Sequence, residues 1–381
     1  MEKLRATLKY GIFFYLAIIG LSKSAYSQTY NDKIASYITQ VEHPFKFLQH
    51  FENMGVKESG THALDTTFKW LNASIRQLGY NTKVIPFLNG KDTLKNIEFV
   101  KKGSWDSCII VCAHYDSWTG PGVNDNGTGD FALYQFAKWI KELNTKFTIR
   151  FLYFSGEELG YLGSRHYVAN LNKDSVKIKY VINFDQLGGT IGEDNSGIKC
   201  ERDDVSKLSQ ESYDLTGKMA AIYSLYTKLV PVVTPAYSSD YISFRDSGYI
   251  ISGVYQYSGF PYYHSTSDLL NYIEFNSLTE TVKGALAFLL YLTQADVPLV
   301  NNINGQTINN LTVYTTQNGL ELDGVTGYNF RLFDASGKLI VSDKCESNHI
   351  IIPTSGLGSG IYYVSVFNNN RQQHQKIFIS H

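Results

Sequence analysis

The sequence of 381 residues predicts an α/β fold with a mostly parallel central sheet and helices on both faces, followed by a small all-β sandwich. Three observations carry that expectation. From Gln28 to about Ala295 helical periodicity alternates with short extended apolar runs. Several of those runs, Cys-Ile-Ile-Val-Cys-Ala at 108–113 among them, are apolar on both faces, as strands covered by helices on each side must be. From Asn301 onward helix signals vanish and Asn, Thr, Gly and Val dominate.

Taken in order, helices are expected at 34–51, at 63–78 where Gly79 closes the pattern, at 129–143 and at 278–292. The extended runs lie at 82–87, 97–100, 108–113, 148–154, 180–184 and 249–255. In the tail, short alternating strands are expected at 329–333, 339–341, 350–352, 361–367 and 375–379, with turns at 334–338 and 368–370. Ahead of all of these, Lys3, Arg5 and Lys9 precede an apolar run of 11 residues from Gly11 to Leu21, and Ala25-Tyr26-Ser27 offers a small-x-small cleavage site. Residues 1–27 therefore read as a secretory signal peptide, since the run falls short of the roughly 20 residues that a spanning helix needs. No other stretch is long and apolar enough to span a membrane. The expected organisation is a signal peptide at 1–27, an α/β domain at 28–298, a linker at 299–310 and a β-sandwich at 311–381.

Composition narrows the function. The 34 Lys and Arg nearly balance 35 Asp and Glu, and loss of residues 1–27 leaves 30 basic and 34 acidic residues, a net charge of −4. There is no basic excess to serve as a footprint for nucleic acid. At 18% charged and 43% hydrophobic residues the chain is far from a disordered composition. Four cysteines exclude a disulfide-stapled miniature scaffold. Cys108 and Cys112 lie four apart on one strand, about 13 Å at 3.3 Å per residue, too far for a mutual disulfide, and read as buried core thiols. Pairing of either with Cys200 stays open.

The informative feature is where acids and histidines fall. His114-Tyr115-Asp116 directly follows the strand at 108–113, and Asn124-Asp125-Asn126-Gly127 opens a helix shortly afterwards. Glu157-Glu158 follows the strand at 148–154, Asp185 follows that at 180–184, and His264 lies beyond that at 249–255. In an open α/β sheet the ligand crevice lies outside the carboxyl ends of the strands, so the clusters converge on one rim. Carboxylates and imidazoles gathered in one crevice would repel and desolvate one another without a cation. Imidazole and carboxylate donors without thiolate suit Zn²⁺, with Mn²⁺ or Co²⁺ also compatible. Five such ligands exceed the need of one tetrahedral ion, and two ions about 3.5–4 Å apart joined by a carboxylate fit the count better.

Residues 28–295 resemble the secreted zinc aminopeptidases of peptidase clan MH, relatives of the vibrio and streptomycete leucine-preferring enzymes. The match lies in His114-Tyr115-Asp116, Asn124-Asp125-Asn126-Gly127, Gly156-Glu157-Glu158-Leu159-Gly160, Gly163-Ser164-Arg165-His166, Asn183-Phe184-Asp185 and Tyr263-His264-Ser265. The resemblance implies a metallo-exopeptidase acting on peptide N-termini with two Zn²⁺ per chain. It implies that Asp125 bridges the ions, that His114 and Asp185 complete one and Glu158 and His264 the other, and that Glu157 is the general base. Asp116 would accept the imidazole N–H of His114 and orient it. Tyr263 is placed either to donate to an oxyanion or to pack as one more aromatic of a Tyr-rich region.

Other residues take blander readings. Arg165 and His166 read as structural and His62 as surface. Asp240 lies in a Ser238-Ser239-Asp240 loop that reads Ser-Asp-His in the family, and with Tyr241 in place of that histidine no catalytic role is assigned to it. Glutaminyl cyclases share the Gly-Glu-Glu, Gly-Ser-Arg-His and His-Tyr-Asp elements but use one zinc and carry Trp before the last histidine. Here Phe260-Pro261-Tyr262-Tyr263-His264 lacks it, so the cyclase is the alternative. A non-catalytic binding module on this scaffold is a further alternative, weakened by the presence of all five ligands and the base.

The tail resembles the C-terminal sorting domain of the type IX secretion system. The carriers are Phe330-Arg331-Leu332-Phe333-Asp334-Ala335-Ser336-Gly337-Lys338, Leu357-Gly358-Ser359-Gly360-Ile361-Tyr362-Tyr363-Val364 and Lys376-Ile377-Phe378-Ile379. The resemblance implies the secretion machinery as a partner and a destination outside the cell or on its surface. A carbohydrate-binding module would show a stripe of Trp, and this tail has none.

Overall fold

The computed structural model describes residues 30–172, 176–298, 311–316, 319–335, 338–368 and 372–379. The expected signal peptide at 1–27 and linker at 299–310 lie outside them. The chain enters its main sheet through a hairpin: β1 (Thr82–Asn89) and β2 (Asp92–Lys101) pair antiparallel across the two-residue loop Gly90-Lys91. β3 (Ser107–His114), β4 (Thr148–Phe154), β5 (Lys177–Phe184), β6 (Gly197–Arg202), β7 (Val230–Pro235) and β8 (Ile251–Gln256) complete eight strands in the order β1-β2-β4-β3-β5-β8-β6-β7.

The four central strands β4-β3-β5-β8 are parallel, while β1–β2, β2–β4 and β6–β8 are antiparallel. The sheet is thus mixed, parallel only at its centre and at the outer β6–β7 pair. The hairpin dictates this on one side, because a two-residue loop can join only antiparallel strands. β3 beyond Ser107 and the C-terminal half of β5, Val181–Phe184, are buried on both faces, which their continuous apolar runs require.

Pro44 divides the helix expected at 34–51. The structure shows α1 (Asp32–Tyr37), a 3₁₀ turn (Ile38–Gln40) and α2 (Phe45–Asn53), because proline has no N–H to give and its ring would meet the preceding turn. α3 (His62–Gln77) starts where Thr61 accepts the Leu64 N–H and α4 (Thr128–Ile140) follows the loop that carries Asp125. α5 (Leu162–Ala169), α6 (Ser209–Tyr226), α7 (Tyr241–Arg245) and α8 (Phe275–Leu292) complete the set among the described residues.

α6, β6 and β7 lie in the segment where no pattern is legible. α6 buries hydroxyls toward the sheet, Ser212 donating to the Ile251 carbonyl and Thr216 to that of Glu201, which erases its amphipathic signature. β7 carries Pro231 and Pro235, tolerated because it is the sheet edge. α8 is buried almost throughout, and its Gly284 lets the Tyr223 ring lie against the backbone, where a Cβ would collide with it.

In the tail, β9 (Thr312–Thr316), β10 (Gly319–Asp323), β11 (Asn329–Asp334), β12 (Leu339–Lys344), β13 (His349–Ile352), β14 (Gly360–Phe367) and β15 (Gln372–Ile379) form two antiparallel sheets, β13-β10-β9 and β12-β11-β14-β15. Their inner faces meet through Leu320, Leu322, Phe330, Leu332, Val364 and Val366. β9 and β10 go beyond the sequence expectation: β9 is mostly Thr, and in β10 the alternation of Leu320 and Leu322 with Glu321 and Asp323 is only five residues long. All four cysteines are buried and unpaired, so Cys200 joins neither Cys108 nor Cys112.

Candidate metal centre

Parallel pairing of β4, β3 and β5 sets three carboxyl ends side by side, with His114 level with Phe154 and Cys112 with Asn183. The residues just past these ends, His114, Glu157, Glu158 and Asp185, therefore come to one rim. Asp125 arrives from the loop before α4. Gly122 turns that loop with φ of 66°, and a Cβ there would meet the Asp125 carbonyl and the Ser117 side chain. The buried Asp268 carboxylate accepts the Asn124 and Asp125 N–H groups at 2.7 and 3.0 Å. Lys57, wholly buried, donates to the Pro121 carbonyl at 2.7 Å with its ammonium 3.7 Å from the Phe51 ring centroid.

The donor atoms gather closely. His114 Nε2 lies 3.2 Å from Asp125 Oδ1 and 3.6 Å from Asp185 Oδ1. On the other side of Asp125, His264 Nε2 lies 3.5 Å from Asp125 Oδ2 and 2.8 Å from Glu158 Oε2. Three groups each hold donor atoms within 4.8 Å of one another: His114, Asp125 and Asp185; Asp125, Glu158 and His264; and His114, Glu157 and Glu158. His114 Nε2, Asp185 Oδ1, Glu158 Oε1 and His264 Nε2 are buried without a hydrogen-bond partner. Orphaned lone pairs facing one another are what a cation would satisfy, and the imidazole-carboxylate donor set fits zinc.

The electrostatics show the same crowding. Burial pushes Glu157 well above the usual carboxylate range, His114 opposes, and Asp185, Asp240 and Glu158 push it further. Burial and then Asp125 raise Glu158 to about 7 against the pull of His264. Burial would lower His114, but the Asp185 and Glu157 carboxylates outweigh it and hold its pKa well above normal. Desolvation is likewise outweighed at His264, whose Asp125 and Glu158 partners bring it to about 10.

Two residues act differently from the sequence expectation. His114 Nδ1 faces the main-chain carbonyl of Asp116 at 3.2 Å, whereas the Asp116 carboxylate stands 3.7 Å away and accepts the Glu157 and Glu158 N–H groups, each at 3.2 Å. That carboxylate orients the Glu157-Glu158 turn instead of the imidazole. Asp240, set aside from the sequence, is fully buried with neither oxygen hydrogen-bonded. Burial lifts it to about 7, His114 opposes, and Asp116 and Asp185 add to the rise.

Tyr263 is half exposed and stacks on His264 with ring centroids 3.7 Å apart. His166 stacks on Phe87, Arg165 lies over Tyr161, and His62 meets Thr66 on an exposed helix face. Asp268 and Lys57 escaped sequence reasoning. Asp268 could have been found four residues past His264; Lys57 left no signal, because its ammonium meets the Gly55 and Pro121 carbonyls and the Phe51 ring, which no local motif marks.

The profile of peptidase family M28 matches residues 96–289, just over half of the chain. This chain belongs to peptidase family M28. A second profile, a secretion system C-terminal sorting domain, matches residues 316–380. The M28 chain therefore carries a type IX sorting tail, which addresses it to the cell surface or the extracellular space. An aminopeptidase of Pseudomonas aeruginosa is 29% identical over 43% of this chain and 31% of its own length. Aminopeptidase YwaD of Bacillus subtilis is 30% identical over 48% of this chain and 41% of its own length. The M28 chain thus spans well under half the length of these relatives.

Solved structures share the fold. LapA aminopeptidase of Legionella pneumophila superposes with a TM-score of 0.62 at 20% identity, covering 72% of this chain and 75% of LapA. BSAP, a zinc aminopeptidase from Bacillus subtilis, gives 0.54 at 18% identity over 69% and 95%. Glutaminyl cyclase of Porphyromonas gingivalis gives 0.56 at 18% identity over 68% and 98%, so the M28 scaffold itself does not separate hydrolysis from cyclisation.

Proposed function

We propose that this chain is an exported two-zinc aminopeptidase, with residues 28–298 as the catalytic part and 311–381 as its address. The observation that carries the reading is that Asp125 belongs to two donor groups at once, with His114 and Asp185 on one side and Glu158 and His264 on the other. A shared carboxylate between two imidazole-carboxylate sets is the arrangement that a pair of ions requires. Zinc bound there would supply the Lewis acidity that polarises a scissile carbonyl and lowers the pKa of an attacking water.

The chain's own groups do the rest. Glu157 adjoins a proposed ligand without being needed as one, and takes the proton of the water and passes it to the leaving amine. Its environment, crowded by Asp185, Asp240 and Glu158, suits a carboxylate that must hold a proton between those two moments. Tyr263 remains protonated, since burial and the Asp125 and Glu158 carboxylates push its pKa up, and it serves as oxyanion donor. Peptide N-termini are the substrates, in keeping with the relatives named aminopeptidases.

The test is direct. Purified protein is assayed with aminoacyl anilides and with a peptide beginning in Gln, before and after chelation and zinc restoration, with bound zinc counted. Hydrolysis lost on chelation, regained with zinc and accompanied by two zinc per chain is expected. Cyclisation of Gln without anilide hydrolysis would establish the cyclase instead, and one zinc per chain would remove the bridging role of Asp125.

A further inference from the structure

Beside the proposed metal centre, and sharing Glu158 with it, lies a cavity of about 230 Å³. Its walls include Leu64, Leu94 and Leu159, with Trp118 half exposed at its edge and Glu58 at its rim. Glu158 belongs both to this wall and to the donor group with Asp125 and His264, and the Trp118 ring lies 6.2 Å from that of His264. The cavity is therefore contiguous with the place where a peptide bond would be cleaved.

The carboxylates in this wall are not equivalent. Glu158 faces His264, and Asp116 is engaged by two backbone N–H groups. Glu58 accepts the Thr119 N–H through Oε1 at 3.1 Å, which places its carboxylate against the Trp118-Thr119 segment, and no lysine or arginine lines the cavity. A carboxylate that shares a cavity with an indole and three leucines is complementary to a side chain with an aliphatic stem and a cationic head. The stem gains by apolar burial, and the head gains from the charge-assisted hydrogen bond and from the ring face.

We propose that this cavity is a specificity pocket for lysine or arginine flanking the cleaved bond, with Glu58 and Trp118 as its selectivity residues. The proposal rests on the aminopeptidase reading. It makes the enzyme a peptidase for basic residues at the first or the second position of a peptide, and the two positions are separated by the choice of substrate series.

Zinc-loaded protein is assayed with lysyl, arginyl, leucyl and glutamyl anilides, which vary the first residue, and with leucyl dipeptides ending in Lys, Leu or Glu, which vary the second. The expected result is a higher kcat/KM for Lys or Arg than for Leu in one series. In that series Glu58→Gln lowers the Lys-to-Leu ratio about tenfold, Glu58→Lys inverts it, and Trp118→Ala lowers it about threefold. Melting temperature and zinc content are recorded for each variant, and Glu58→Gln, an isosteric change at the rim, keeps the test readable if Glu58→Lys fails to fold. No preference for a basic residue in either series, or a ratio that Glu58→Gln leaves within twofold of the original, overturns the proposal.

A binding arm separates the two readings. Calorimetry with Lys-Leu, Leu-Lys and Leu-Leu is run on the Glu157→Gln protein with and without Glu58→Gln. Selective binding of a basic dipeptide that Glu58→Gln abolishes, together with no hydrolysis of any anilide or dipeptide by the zinc-loaded protein with Glu157 intact, would sustain the pocket and remove the aminopeptidase reading. Hydrolysis without any basic preference would do the reverse.

Discussion

At the rim of the α/β sheet, His114, Asp116, Asp125, Glu157 and Asp185 are all buried, and His114 Nε2 and Asp185 Oδ1 lie there without a hydrogen-bond partner. In the C-terminal sandwich most of the buried positions are apolar, Leu320, Leu322, Leu332, Val364 and Val366 among them, while His349 and Asp323 meet at the surface 2.7 Å apart. One region concentrates uncompensated charge in a low-dielectric setting, and the other is assembled as an ordinary apolar core. The contrast teaches what each region is for. A rim whose polar atoms lack partners is organised to receive a cation, and a sandwich with an apolar interior is organised as a stable address packed on the α/β domain, which it meets through Phe333 and Tyr363.

The sharpest way to break this comparison is Glu157→Gln, which removes a proton acceptor while keeping shape. Anilide hydrolysis should fall by about 10²–10⁴-fold with zinc content unchanged, measured by kcat and metal analysis of the same sample. A near-normal kcat would take the base role from Glu157. The matching change in the other region is Leu332→Ala, at a fully buried sandwich position. It should destabilise the sandwich by about 2–5 kcal/mol, seen as an earlier calorimetric transition, while kcat/KM stays at the parent value. Equal loss of activity would show that the two regions are not independent.

The charge at the rim also sets a pH dependence. Glu158 is raised to about 7, His264 to about 10, and His114 is also held well above its ordinary value, so the metal-free site holds protons on its ligands. Zinc must displace these protons, so binding tightens as pH rises, and most steeply below pH 7, where Glu158 is protonated as well. Chelator competition at pH 6, 7, 8 and 9 measures it, and a flat profile would mean that these groups are not ligands. Asp268→Asn should have the smallest effect, weakening zinc binding about tenfold, because only one amide oxygen remains to accept the Asn124 and Asp125 N–H groups. The same competition assay at pH 8 reads it.

Much of the site was legible because it is short-range. His114, Glu157, Glu158 and Asp185 each sit within a few residues of the end of an apolar strand, so one rule about strand ends places them together. The helices expected at 63–78 and 278–292, which the structure shows at His62–Gln77 and Phe275–Leu292, were legible for a similar reason, since apolar periodicity is local. The Pro44 break could have been read and was hidden by an apolar pattern that continues on either side of it. β6, β7 and α6 were not legible, because an edge strand with two prolines and a helix that buries hydroxyls leave no period to detect.

The sequence by itself determined the chemistry of the site, an imidazole-carboxylate set following strand ends, and the sorting character of the tail, because both reside in contiguous motifs. Only the tertiary structure decided that Asp116 orients the Glu157-Glu158 turn through its carboxylate and that Asp268 holds the Asp125 loop from 143 residues away. It alone brought Glu58 and Trp118 into one cavity beside Glu158. These are contacts between segments far apart in the chain, fixed by how the sheet is ordered and how its loops pack, and no local pattern of residues records them.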